Sequence, residues 1–217
     1  RPANEPFHLE GGIRLLEGNL GRSLIKTSAV AEERQCITAP AVVISDQAEL
    51  KALFERGELD RDCVVVARFQ GPAANGMPEL HQLMPILGVL QDRGHAVALV
   101  TDGRLSGASG KVPAAIHVTP EAAKGGAIGR IQDGDMISLD VAAGELCVAV
   151  DEQILADRPH PDTPAAHNTV GRGLFKFSRE VVTDAESGGC TLFEPLVMDD
   201  LLQGKSARDV TYEHCAS

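Results

Sequence analysis

Short apolar runs rich in β-branched residues alternate along this chain with segments of helical periodicity. Residues 63–69 and 95–101 are the clearest runs, and each is followed by glycine and proline, which is typical of strands. Residues 36–45 are a further strand candidate, and residues 11–31 indicate strands interrupted by glycine. Residues 136–141 and 145–150, separated by a short turn, predict a hairpin.

Three segments between these runs carry helix signals. Asp46 is a predicted N-cap for a helix over residues 47–56, which Gly57 ends. A second helix is predicted over residues 79–93, where Pro85 should cost a hydrogen bond and kink it. Thr119-Pro120-Glu121 predicts the start of a short helix, with a capping hydroxyl followed by proline and an acid.

Many short strands with few helices favour a mixed α/β fold, a β-barrel-like domain with peripheral helices, over a doubly wound sheet. A chain of 217 residues is expected to bury one main core, which we place in residues 1–156. Residues 157–217 are expected to pack on the same domain. They comprise a proline-rich linker over 158–167, an amphipathic helix over 173–183 and a polar tail over 203–217.

The charge balance excludes several classes of partner. A net charge of −11 and a pI near 5.0 argue against binding nucleic acid or an anionic membrane, since both attract basic surfaces. Aromatic residues make up 3% of the chain, too few for the stacking platforms of single-stranded nucleic acid binders. No apolar run approaches the length of a membrane span. An anionic small molecule would need a locally positive pocket, which draws attention to Arg68, Arg104 and Lys111.

Two glycine-rich loops that follow strands, residues 71–81 and 101–117, hold the polar side chains best placed for chemistry. From spacing alone, Glu79 is explained as an acid in the first turn of a helix, and Ser106 as part of an ordinary turn. Lys111 and Ser109, in a loop that also contains Gly110, are able to hold a phosphate through an ammonium and backbone amides. Asn75 either contacts a substrate or shapes its turn.

The five cysteines lie far apart in sequence and form no CxxC-type ligand pair. Cys63 and Cys147 sit in hydrophobic runs and are expected to be apolar filler. The odd number of cysteines and the absence of a secretory segment favour a reducing, cytoplasmic location. A metal or cluster site built from these cysteines alone is therefore not expected.

The stretches NGMPELH (residues 75–81) and GRLSGASGKVP (residues 103–113) resemble the C-terminal part of the dihydroxy-acid dehydratase superfamily. Their form is similar to that of the branch that dehydrates 6-phosphogluconate. Flanking segments at residues 11–21 and 125–129 agree with the same resemblance. It covers residues 11–150 well and residues 169–193 more loosely.

The resemblance implies a swivelling β-barrel domain similar to the mobile domain of aconitase-like enzymes. It also implies that the chain is the C-terminal domain of a longer enzyme, inactive alone, whose N-terminal domain carries an iron–sulfur cluster on cysteines. The expected substrate is a small sugar-acid phosphate, and a homodimer is expected. The resemblance gives Glu79 as a ligand of Mg²⁺ and Ser106 as the base at C2.

Two alternative functions remain open from the sequence. One is a dehydratase for an unphosphorylated aldonic acid or a branched-chain dihydroxy acid. The other is a non-catalytic swivelling module that binds a partner domain or a small acid.

Overall fold

The computed structural model describes residues 5, 11–106, 110–164 and 173–191. Within these ranges eight strands close into a barrel in the order β1-β2-β6-β5-β4-β3-β7-β8. The strands are β1 (Ile13–Gly18), β2 (Gly21–Lys26), β3 (Cys36–Ile44), β4 (Cys63–Ala67), β5 (Val97–Thr101), β6 (Ala114–Thr119), β7 (Met136–Asp140) and β8 (Glu145–Val148). The predicted mixed α/β barrel with peripheral helices is confirmed.

The barrel contains a parallel half and an antiparallel half. Strands β3, β4, β5 and β6 run parallel to one another. Strand β2 pairs antiparallel with β1 and β6, β7 pairs antiparallel with β3 and β8, and a short parallel pairing of β1 with β8 closes the barrel. Every residue of β4 and β5 is buried, because one face fills the barrel and the other lies under helices. Strands covered on both faces lack polar alternation, which explains why these two runs stood out in the sequence.

Two apolar clusters share the parallel strands. Val64 and Val66 of β4 point into the barrel interior, while Val65 lies in the outer cluster. The helices α1 (Gln47–Glu55) and α3 (Leu83–Asp92) complete that outer cluster with fully buried leucines, including Leu50 and Leu87. The outer face of the β1–β2 hairpin is different, because Ile13, Leu15 and Leu24 are exposed there.

The first predicted helix is confirmed and the second begins later than predicted. Asp46 caps α1 by accepting the backbone N–H of Ala48 at 2.7 Å. Helix α3 begins at Leu83, not at residue 79, because Glu79 forms a β-bridge with Arg104 instead. Pro85 is the third residue of α3, where the backbone N–H has no helical partner in any case, so the predicted cost of a lost hydrogen bond was wrong.

Other predicted boundaries also required correction. The predicted strands at residues 63–69 and 95–101 are shorter, ending at Ala67 and beginning at Val97. Strand β6 was not predicted, since its alanines and histidine give a weak strand signal. Thr119 ends β6 and does not cap a helix, and a single 3₁₀ turn follows at Ala122–Lys124. The short helix α2 (Pro72–Asn75) was missed.

After β8 the chain continues along the barrel. Helix α4 (Glu152–Asp157) was not predicted and leads into a segment in which Arg158 makes a bidentate ion pair with Asp135, at 2.5 and 2.9 Å. The predicted helix over residues 173–183 is present as the shorter α5 (Lys176–Val181). Part of the predicted linker, residues 165–167, and the predicted tail at 203–217 lie outside the described residues. Of the helices in the described ranges, none combines the length and apolar character needed to cross a bilayer.

Candidate active site

The two loops singled out by the sequence meet at one end of the parallel strands. Strands β4 and β5 lie side by side with Ala67 opposite Thr101, so their following loops leave the barrel at the same edge. The β-bridge between Glu79 and Arg104 joins the loops directly. The backbone of Gly103 passes so close to Gln70 that an added Cβ would lie 2.7 Å from the Gln70 Cβ. Glycine is required at this position by packing.

Glu79 and Ser106, predicted from the family resemblance, are brought into contact by this bridge. Glu79 Oε1 accepts the backbone N–H of Ser106 at 2.6 Å, and its Oε2 accepts from Arg104 Nη1 at 3.2 Å. Arg104 also donates through Nε to the carbonyl of Met77 at 2.7 Å. The Glu79 side chain is 27% exposed, so its carboxylate is oriented by two donors and remains accessible. It is not an acid in the first turn of a helix.

Asp102 supplies the internal support of the site, which the sequence did not reveal. Its side chain is fully buried and accepts three backbone N–H groups, from Gln70 at 2.8 Å, Ala122 at 2.9 Å and Phe69 at 3.1 Å. Burial raises the pKa of Asp102 to about 6, against the lowering effect of those three donors. A buried carboxylate with this many backbone partners fixes three chain segments to one another. Asp-Gly in the sequence indicated only a turn.

Strained backbone marks the same region. Among the described residues, three that are not glycine have left-handed φ values, namely Phe69 (62°), Met77 (51°) and His117 (58°). Each lies in the network above: Phe69 donates to Asp102, Met77 accepts from Arg104, and His117 donates its N–H to the Gly103 carbonyl at 2.9 Å. Such conformations persist where surrounding contacts hold them, and they cluster at functional sites.

Asn75 is the last residue of α2. Its Nδ2 donates to Gln70 Oε1 at 2.9 Å, and Gln70 Nε2 donates to the Ser45 carbonyl at 2.6 Å. The nearly buried Glu121 accepts from the first N–H groups of α2, at Ala73 and Ala74. Glu121 therefore stabilises the helix that presents Asn75, although the sequence suggested that it belonged to a different helix.

A small cavity of about 30 Å³ adjoins Ser106. Gly110 and Lys26 line it together with Ser106, and Leu105 and Ile116 contribute apolar walls. Lys26 was not identified from the sequence, because it lies in a separate hairpin. Ser109 lies outside the described residues.

Lys111 is directed elsewhere in this structure. Its ammonium contacts both carboxylate oxygens of Asp92, at 2.6 and 2.7 Å, on the exposed surface of α3. A phosphate bound by Lys111 would therefore have to compete with Asp92. Phosphate binding by the loop of Ser109, Gly110 and Lys111 stays a prediction.

The histidines and cysteines of the described ranges add no metal ligand set. Burial, together with the Arg104 charge, lowers the pKa of His117, which favours its neutral form near neutral pH. Cys63 is fully buried, as predicted, and burial raises its pKa to about 11, whereas Cys147 is only half-buried. Within the described ranges, no three His, Cys, Asp or Glu side chains come together as a metal-binding group. Cysteines in this part of the chain thus do not fit an iron–sulfur cluster.

Glu79 does fit a role as one magnesium ligand. Mg²⁺ is commonly held by one or two carboxylates together with water and substrate oxygens. Each carboxylate oxygen of Glu79 accepts one hydrogen bond, and a carboxylate offers about four acceptor positions in all. Room for a cation therefore remains without breaking the contact to Ser106.

These features define a mixed α/β barrel domain with an accessible carboxylate and a serine joined at the end of its parallel strands. The family profile described as dihydroxy-acid/6-phosphogluconate dehydratase C-terminal matches residues 1–189. The chain belongs to this family, as the resemblance implied.

Several curated relatives are similar over most of the chain. A phosphogluconate dehydratase of Pseudomonas aeruginosa is 57% identical over 90% of this chain, and one of Escherichia coli K12 is 58% identical over 87%. A dihydroxy-acid dehydratase of Archaeoglobus fulgidus is 38% identical over 87% of the chain. The matched region is about a third of the length of each relative, 32% for the first two and 34% for the third.

Proposed function

We propose that this chain is the C-terminal domain of a hydro-lyase that converts 6-phosphogluconate to 2-keto-3-deoxy-6-phosphogluconate and water, as in the Entner–Doudoroff pathway. The observation that carries the proposal is the contact between Glu79 and Ser106 at the accessible edge of the barrel. The names of the relatives support this substrate, because phosphogluconate dehydratases at 57–58% identity are more similar than the dihydroxy-acid dehydratase at 38%. We therefore favour it over a branched-chain or unphosphorylated acid.

Dehydration of a 2,3-dihydroxy acid requires a base at C2 and assistance to the hydroxide leaving C3. The deprotonated Oγ of Ser106 accepts the C2 proton and becomes a hydroxyl, and the electron pair of the broken C–H bond moves towards the carboxylate. That pair then forms the C2–C3 double bond as the C3–O bond breaks. The departing hydroxide takes a proton and leaves as water, and the resulting enol tautomerises to the 2-keto acid.

The chain's own contacts explain how the base is positioned. Glu79 holds the backbone N–H of Ser106, and Asp102 fixes the start of the same loop from inside the protein. Magnesium bound at Glu79 would supply positive charge for the substrate oxygens and for a deprotonated serine. An iron–sulfur cluster on an N-terminal domain, which the family resemblance implies, would assist the leaving hydroxide.

Substrate contacts are proposed for four further residues. Asn75 is proposed as a substrate contact, and its side chain donates to Gln70 Oε1 at the end of α2. Gly110 lines the cavity beside Ser106, and we retain Ser109, Gly110 and Lys111 as the loop that holds the phosphate. We also propose that the complete enzyme acts in the cytoplasm as a homodimer, and that this domain works against the N-terminal domain of the same enzyme.

The proposal is tested with Ser106→Ala in the complete enzyme, reconstituted anaerobically and assayed as 2-keto acid formation from 6-phosphogluconate. Turnover should fall by at least about a hundredfold, in keeping with loss of a general base. Ser138→Ala is the matched control, since the Ser138 hydroxyl bonds Thr38 on the far strands β7 and β3. Near-normal turnover by Ser106→Ala would refute the assigned base. Activity on a branched-chain or unphosphorylated acid, without activity on 6-phosphogluconate, would refute the substrate.

A further inference from the structure

Lys26 is the last residue of β2 and its side chain lies on the outer face of the barrel. Along β2 the buried residues Ser23 and Ile25 alternate with the exposed residues Leu24 and Lys26. Strand β2 pairs with β6, whose residue Ile116 lines the same cavity as Lys26 and Ser106. The barrel closure therefore brings Lys26, from a distant part of the sequence, to the cavity that adjoins the proposed base.

Lys26 differs from the other described lysines in having no polar partner. Four of these lysines are engaged: Lys51 with Glu55, Lys111 with Asp92, Lys124 with the Val182 carbonyl and Lys176 with Glu180. Within the described part of the chain, Lys26 makes no ion pair or hydrogen bond through its side chain. In a protein with a net charge of −11, a lysine without a carboxylate partner beside a serine is suited to an anionic ligand.

We propose that Lys26 binds the carboxylate of the sugar acid, at the carbon next to the one that Ser106 deprotonates. This inference rests on the proposed function and assigns a substrate contact outside the two glycine-rich loops. The carboxylate carbon C1 is bonded directly to C2, so a cation that shares a cavity with the C2 base is within reach of it. The phosphate on C6 is separated from C2 by four bonds along the carbon chain and its ester oxygen.

The cavity is large enough for the oxygens of a carboxylate, because a volume of about 30 Å³ holds one or two water-sized groups. Leu105, Val112 and Ile116 give the cavity apolar walls beside the exposed Lys26 side chain.

The contact should also strengthen during the reaction. As the C2–H bond breaks, its electron pair delocalises onto the C1 oxygens and increases their negative charge. An ammonium already held there stabilises the transition state more than the bound substrate. Removing the Lys26 charge should therefore lower kcat as well as raise KM in the complete enzyme.

Direct binding measurements separate this role from a structural one. In the complete enzyme carrying Ser106→Ala, 6-phosphogluconate, gluconate and glucitol 6-phosphate are titrated by calorimetry, with and without Lys26→Met. Glucitol 6-phosphate keeps the phosphate and lacks the carboxylate, whereas gluconate keeps the carboxylate and lacks the phosphate. Lys26→Met preserves the length of the side chain, Lys26→Arg preserves its charge, and Lys51→Met is a control on α1.

Loss of the Lys26 charge should lower the affinity for 6-phosphogluconate and for gluconate, the two ligands with a carboxylate, by about ten- to a hundredfold. This is the range for a hydrogen bond to a charged group. Binding of glucitol 6-phosphate should not change, Lys26→Arg should restore part of the lost affinity, and Lys51→Met should have no effect. Three results would each overturn the proposal: an equal loss of affinity for all three ligands, a loss confined to the phosphorylated ligands, or no loss of affinity. If the Ser106→Ala enzyme binds none of the three ligands, the proposed function falls and this inference falls with it.

Discussion

Replacing Glu79 with glutamine should separate the structural contribution of this side chain from its chemical one. The amide is close in shape to the carboxylate, but one of its two terminal atoms becomes a hydrogen-bond donor. In the structure both carboxylate oxygens accept, one from the Ser106 N–H at 2.6 Å and the other from Arg104 at 3.2 Å. Glutamine can therefore keep only one of these two contacts.

The expected loss of stability is small. The Glu79 side chain is 27% exposed and that of Arg104 is 50% exposed, so water can replace the lost contact. Such a partly solvated interaction contributes about 1 kcal/mol, which corresponds to a decrease in Tm of about 2–4 °C for a domain of this size. Thermal unfolding of the variant measures this loss.

The expected loss of activity is much larger. An amide oxygen carries no net charge and is a weaker ligand for Mg²⁺ than a carboxylate. The kcat/KM of the complete enzyme should fall by at least about a hundredfold, equivalent to about 3 kcal/mol of transition-state stabilisation. Half-maximal activity should also require more magnesium.

Glu49→Gln is the matched control, because Glu49 is also exposed and accepts a backbone N–H, that of Ser45 at 3.3 Å. It should show a similar small change in Tm with normal turnover. The reasoning would be refuted if Glu79→Gln kept normal kcat/KM and normal magnesium dependence. It would also be refuted if the loss of activity only followed a large loss of folded protein.

Three further predictions concern other contacts. Arg158→Ala should destabilise the domain by about 3 kcal/mol in urea unfolding, because it leaves the nearly buried carboxylate of Asp135 without its bidentate partner; a change within 0.5 kcal/mol would contradict this. The pKa of Asp102 is raised by burial from 3.8 to about 6, so its stabilising contribution is fully present below pH 3.8 and is lost as the pH rises through 6. Relative to the Asp102→Asn variant, the free energy of unfolding of the wild type in urea should thus fall by about 3 kcal/mol between pH 3.5 and 7. If the unfolding free energies of the two proteins changed in parallel with pH, the raised pKa would be refuted. Lys111→Ala should reduce kcat/KM for 6-phosphogluconate more than for gluconate, while barely changing stability because its pair with Asp92 is exposed; equal losses on the two substrates would exclude phosphate binding by Lys111.

The helix and strand signals that succeeded are local ones. Asp46 caps α1 as its sequence predicted, because an N-cap depends on residues two or three positions away. The continuous apolar runs of β4 and β5 identified buried strands, because a strand covered on both faces is apolar at every position. The Asn75–His81 and Gly103–Pro113 stretches were sufficient to identify the family, which the comparison with its profile confirmed.

The predictions that failed depended on pairing between distant segments. Glu79 looked like the beginning of α3 because helical spacing starts nearby, yet the bridge to Arg104 takes it into the sheet edge. Glu121 looked like part of a local helix start, yet it caps α2, which lies 47 residues earlier in the chain. Strand β6 has little strand propensity of its own and exists through its neighbours β2 and β5.

By itself the sequence determined the class of fold, the family and the two loops that carry Glu79 and Ser106, since these follow from local periodicity and from contiguous motifs. Tertiary structure alone decided that Asp102 lies fully buried under three backbone donors and that Lys26 shares a cavity with Ser106. The physical reason is that strand order and register set which distant residues meet when the barrel closes, and a local pattern of apolar and polar residues does not encode that order.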